Sequence, residues 1–103
     1  MTETGPGSDF DAVVTKVIRS LREGDVVTYG EIALEAGYPG LSRAVGALLS
    51  RNDDAKLPWW RVVNASGRLV PGHEADQARR LRAEGVDVDL DAGRVARHGA
   101  ERT

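Results

Sequence analysis

Cysteine is missing altogether from the 103 residues, and that absence excludes more than any other feature of the composition. Without a thiol there is no disulfide, no zinc–thiolate site and no thiolate nucleophile. Histidine occurs only twice, as the distant His73 and His98, so neither a structural metal nor a cofactor is expected. No apolar run approaches the roughly 18 residues that span a bilayer. The polar, acidic N-terminus has neither the basic start nor the apolar stretch of a signal peptide, so an intracellular, cytoplasmic chain without a membrane partner is expected. Aromatic residues are scarce at 5%, yet two of them, Trp59 and Trp60, are adjacent.

What is present fits one small α/β domain, with hydrophobic residues at 41% and charged residues at 29%. The net charge of −2 argues against indiscriminate polyanion binding, but the charge is unevenly spread. Residues 1–40 hold three Lys/Arg against seven Asp/Glu, residues 41–82 hold eight against four, and residues 83–103 hold three against five. The basic excess therefore surrounds the tryptophan pair. Taken alone, it serves equally well as a solvated face.

Apolar spacing predicts a first helix over residues 9–22, with Asp9 as its N-cap and Phe10, Val13, Val14, Val17, Ile18 and Leu21 as its stripe. Residues 1–8 read as a disordered tail, 9–97 as the domain, and 98–103 as a frayed tail. Thr28-Tyr29-Gly30-Glu31 has the form of a capping box and opens a second helix that closes at Gly37. A Pro39-Gly40 turn leads to a third helix over residues 41–50. Two short helices around a tight glycine turn are the signature of a helix-turn-helix. Residues 58–63 read as extended and 64–67 as a turn. A fourth helix follows from about His73 or Glu74 to Ala83, capped by Gly85, and a hairpin ends the domain. The expected architecture is winged-helix-like.

The third helix carries an oddity. Gly46 costs a helix interior roughly 1 kcal/mol relative to alanine. Together with Ala44 and Ala47 it leaves that face nearly bare. Close helix packing is the plainer explanation, and approach to a narrow groove is the other.

Three segments, in order and at matching spacing, resemble the O6-alkylguanine-DNA alkyltransferases: Thr28-Tyr29-Gly30-Glu31-Ile32-Ala33, Ser42-Arg43-Ala44-Val45-Gly46 and Pro58-Trp59-Trp60-Arg61-Val62-Val63. In that family the last segment resembles Pro-Cys-His-Arg-Val-Val, whose thiolate takes the alkyl group from guanine. Trp59 replaces the thiol and Trp60 the histidine, and an indole offers no such nucleophile. The chain therefore resembles the alkyltransferase-like proteins, which bind alkylated guanine without repairing it.

The resemblance implies a non-enzymatic monomer that binds duplex DNA containing O6-alkylguanine in the minor groove, flips the damaged nucleotide and flags it for nucleotide excision repair proteins. It assigns DNA contact to Tyr29, Ser42, Arg43, Ala44 and Gly46, with Arg43 filling the gap in the base stack. It lines a lesion pocket with Trp59, Tyr29, Leu49, Val62 and Arg68, although Arg68 stands a few residues out of register with the family's selectivity arginine. Asn52, Trp60 and Arg61 are expected to brace the loop, with Trp60 packed as core. Glu84 resembles the third member of the enzymes' Cys-His-Glu relay and, with the other two replaced, is expected to be structural. The rival reading is a helix-turn-helix regulator of the major groove, for which Ser42 and Arg43 are the main base-reading side chains.

Overall fold

Phe10, Val14 and Ile18 recur every four residues. In the computed structural model, which describes residues 6–96 with side chains from residue 9, they form one buried stripe of α1 (Pro6–Arg19). The helix starts three residues earlier than expected. A proline suits a first helical position because its missing N–H would lack an intrahelical acceptor anyway. Asp9 is thus a first-turn acid and not the cap. The expected tail loses residues 6–8 to this helix, while residues 1–5 and the expected tail over 98–103 lie outside the described residues. At the other end Ser20 N–H donates to Val17 and Leu21 N–H to Ile18, each at 3.1 Å, and the helix stops before Arg22.

The architecture is α/β, and the described chain groups into two units. The first contains α1, α2 (Tyr29–Glu35), α3 (Ser42–Arg51) and the chain up to Trp59. Ile32 and Ala33 of α2 and Val45 and Leu48 of α3 are buried, and Phe10 meets Tyr38 edge-on with ring centroids 5.0 Å apart. Gly37 takes φ +92° at the end of α2. Its N–H donates to Leu34 and that of Tyr38 to Ala33, the paired bonds of a Schellman cap. The turn between the two helices is thereby fixed as the sequence predicts.

The second unit contains residues 22–28 and the chain from Trp60 onward. β1 (Val27–Thr28) pairs in parallel with β2 (Val62–Val63), in the register Val27↔Val62 and Thr28↔Val63. Val26, Val63, Leu69, Ala78, Leu81, Val88 and Val95 form its core, against which Trp60 and Val86 pack. α4 (Glu74–Ala83) contributes Ala78 and Leu81 and ends in a second Schellman cap at Gly85. The expected hairpin is present as β3 (Val88–Asp89) and β4 (Arg94–Val95), antiparallel with Val88↔Val95 and Asp89↔Arg94.

Candidate nucleic-acid interface

α3 buries Val45 and Leu48 and leaves Arg43 and Ala47 exposed. Ser42, Ala44 and Gly46 are half-buried. A Cβ built on Gly46 meets nothing within 4 Å. Packing within the described fold does not require the glycine, so the plainer of the two explanations for it fails. Arg51 in the last turn pairs with Asp11, whereas Arg43 has no carboxylate partner among the described residues.

Tyr29 opens α2 and is half-buried. Desolvation raises its phenol above the ordinary value of 10.0, so the ring stays uncharged at neutral pH. Asn52 terminates α3 and braces the chain that follows. Its Oδ1 accepts the Asp54 N–H at 3.1 Å and its Nδ2 donates to the Asp54 carbonyl at 3.2 Å. That bracing is local to residues 52–54. Leu49 is half-buried on α3.

The tryptophan segment departs from expectation. Residues 58–63 are not extended throughout: Trp59–Arg61 is a single 3-10 turn, and only Val62–Val63 form a strand. The physical reason is visible in the side chains. Trp60 Nε1 donates to Glu84 Oε2 at 2.9 Å, and Arg61 donates to the same carboxylate through Nε (3.0 and 3.2 Å) and Nη2 (2.7 Å). Consecutive residues of a strand point to opposite faces, so neighbours that reach one carboxylate need a turn. Gln77, fully buried on α4, completes the turn from the backbone side. Its Nε2 donates to the carbonyls of Trp60 and Val62 at 3.0 and 3.1 Å, and its Oε1 accepts the Val70 N–H at 2.7 Å. Sequence reading missed Gln77, although a glutamine four residues before Leu81 on the inward face of α4 was the available signal.

One further expectation changes. Val62 is fully buried and paired with Val27, so its side chain belongs to the core and not to an open wall. Arg68 is exposed and stands in a bridge with Arg94. Trp60, by contrast, packs against the second unit's core as expected, and its ring lies under two guanidiniums, Arg80 at 4.8 Å and Arg61 at 5.3 Å. Glu84 also accepts the Gly24 N–H at 2.9 Å. Burial by itself raises the Glu84 pKa, but the bonds from Arg61, Gly24 and Trp60 outweigh it and hold the carboxyl below 4.5. The Arg61 guanidinium is raised in turn, chiefly by its hydrogen bond to Glu84. A metal-binding cluster of His, Cys, Asp and Glu does not occur among the described residues, nor does a helix long and apolar enough to cross a membrane.

The DNA-binding domain of 6-O-methylguanine DNA methyltransferase matches residues 9–86. The chain belongs to that family. It is 46% identical over 90 residues to a DNA base-flipping protein of Vibrio parahaemolyticus, covering 84% of this chain and 89% of the relative. Alkyltransferase-like protein 1 of Schizosaccharomyces pombe is 37% identical over 87 residues, covering 77% and 81%. A crystal structure of S. pombe Atl1 in complex with damaged DNA containing O6-carboxymethylguanine superposes with a TM-score of 0.74 at 30% identity, covering 92% of this chain and 90% of that one. The chain spans 64% of the Escherichia coli DNA base-flipping protein, at 40% identity.

Proposed function

We propose that this protein binds duplex DNA at O6-alkylguanine, turns the damaged nucleotide out of the stack and holds it without accepting the alkyl group. α3 lies in the minor groove, Arg43 fills the vacated place in the stack, and Tyr29 presses on the neighbouring phosphate. Trp59, with Tyr29 and Leu49 of the same unit, supplies the surface against the flipped base. Trp60 and Arg61, both held by Glu84, brace the segment that carries Trp59, and Asn52 steadies the end of α3. The protein acts as a monomer without cofactor and marks the lesion for nucleotide excision repair proteins.

The observation that carries this reading is the bare face of α3. Gly46 costs helix stability, no packing contact calls for it, and a side chain there would project into open space. A helix kept bare at a cost to itself fits a surface that something else must approach closely. The family and the relatives named for base flipping and for damaged DNA point to the same partner. The absence of any cysteine from this chain, with Trp59 at the acceptor position, supports binding over transfer.

The test is a titration with matched duplexes that differ by one O6-methylguanine, followed by incubation with a duplex whose O6-methylguanine is labelled in the methyl group. Preference for the damaged duplex without label on the protein supports the reading. Equal affinity for both duplexes favours a regulator, and stoichiometric label on the protein shows an enzyme.

A further inference from the structure

Arg68 and Arg94 face each other across an antiparallel bridge, where opposed Cβ atoms stand about 5 Å apart and like charges repel. Both are exposed. Arg19, Arg51, Arg61, Arg79 and Arg80 each have a carboxylate partner, and among the described residues neither Arg68 nor Arg94 does. Arg94 is steered by a bond from its Nη2 to the Ser66 carbonyl at 2.8 Å. Asp89 is the acid opposite Arg94 in the hairpin, and its Oδ1 accepts the Ala92 N–H at 3.1 Å.

The backbone beneath the pair is tied down. Asn64 Oδ1 accepts the N–H groups of Ser66 (2.9 Å) and Arg68 (2.8 Å). Leu69 N–H donates to Gly93 at 2.8 Å and Val95 N–H to Gly67 at 2.9 Å. Two arginines thus stand opposite each other on a fixed frame, and among the described residues no carboxylate, Asp89 included, closes an ion pair with either. Arg94 also lies beyond residues 9–86, the part that matches the family's DNA-binding domain.

We propose that Arg68 and Arg94 together form a clamp for a backbone phosphate of duplex DNA, a sequence-independent contact additional to α3. A phosphodiester brings one negative charge and two non-bridging oxygens, enough to accept from both guanidiniums and offset their repulsion. Arg68 then serves DNA affinity in general and does not read the lesion. The inference rests on the proposed DNA binding and deepens it.

The experiment measures affinity for the damaged and undamaged duplexes across a salt series, with the whole chain and its variants. Arg68→Ala and Arg94→Ala should each weaken both duplexes by the same factor, roughly three- to tenfold, and lower the slope of log K against log salt by about one. Lysine at either position should restore the slope, because a point charge suffices for a phosphate. Thermal melting of every variant separates loss of the hairpin from loss of the contact, and Arg68→Gln or Arg94→Gln replaces the alanine variant at the same position if that one melts early. An unchanged slope in both neutral variants overturns the clamp. So does an Arg68→Ala protein that loses affinity for the damaged duplex alone, since Arg68 would then contact the base. If the unaltered protein binds both duplexes equally, lesion recognition fails while the clamp still stands or falls by its slope.

Discussion

The indole nitrogen of Trp60 stands 2.9 Å from Glu84 Oε2, on the carboxylate that Arg61 grips through Nε and Nη2 and that the Gly24 N–H also reaches. A neutral histidine both donates and accepts, whereas an indole N–H only donates. Trp60 therefore keeps one half of what a histidine would offer here, the bond to the carboxylate, and lacks the nitrogen that could take a proton from a neighbour. Glu84 is an anchor on which donors from residues 24, 60 and 61 converge.

Glu84→Ala should therefore be costly. The side chains of Arg61 and Glu84 are only 14% and 10% exposed, so removing the acid takes from a nearly buried guanidinium the carboxylate that it grips. A loss of about 2–4 kcal/mol is expected in chemical denaturation. Trp60→Phe keeps the ring over the core and loses one bond, for about 1 kcal/mol. Trp60→Ala also loses the packing, for about 2 kcal/mol, since the ring is half-buried. If Glu84→Ala denatures like the unaltered protein, the carboxylate is not the anchor.

Stability should respond to acid through the same group. The folded Glu84 pKa lies below its ordinary value of 4.5, so its contribution is fully present above that value. It is lost as pH falls through the lower, folded pKa. The stability gap between the unaltered protein and Glu84→Gln should be constant near neutrality and shrink below about pH 4.5. A gap that widens on acidification contradicts a depressed pKa.

Gly46 separates folding from binding. With nothing within 4 Å of the added methyl, Gly46→Ala should stabilise the free protein. The gain is about 0.5–1 kcal/mol, from helix propensity alone. The same methyl should weaken duplex binding, and Gly46→Leu should weaken it further. Gly46→Leu binding as tightly as the original would remove α3 from the groove.

Arg43→Ala should weaken binding to the damaged duplex by about 1–3 kcal/mol, because the gap left by the flipped nucleotide is then unfilled. Tyr29→Phe should be milder than Tyr29→Ala, since the bulk of an uncharged ring does most of the pressing. Unchanged affinity in Arg43→Ala would show that this residue does not enter the stack.

The four helices, the two glycine caps and the terminal hairpin were legible because each has a local cause: apolar spacing, a left-handed glycine, a turn between alternating residues. The shape of residues 58–63 was not. Pro58, Trp59, Trp60, Val62 and Val63 all favour extended backbone locally, and what bends the chain is remote in sequence, Glu84 and Gln77 on and just after α4. Position by position, the motif marked Trp59, Trp60 and Arg61 as one group. It could not show that two of them share a carboxylate, that Val62 is sealed in the core, or that Arg68 stands beside an arginine 26 residues away.

The two adjacent indoles should report separately on DNA. The 3-10 turn removes the alternation that would have sent them to opposite faces, so the assignment rests on what holds each ring. Trp60 is fixed by Glu84 and by the guanidiniums of Arg61 and Arg80. Trp59 occupies the acceptor position and is the ring proposed to meet the base. Trp60→Phe leaves Trp59 as the sole tryptophan, and its fluorescence should fall as the damaged duplex is added, through stacking on guanine. Trp59→Phe leaves Trp60, which should respond little. Trp59→Ala should erase most of the preference for damaged over undamaged duplex, about 1–3 kcal/mol, while weak general binding persists. Quenching in Trp59→Phe with silence in Trp60→Phe would reverse the two roles and make Trp60 the ring at the lesion.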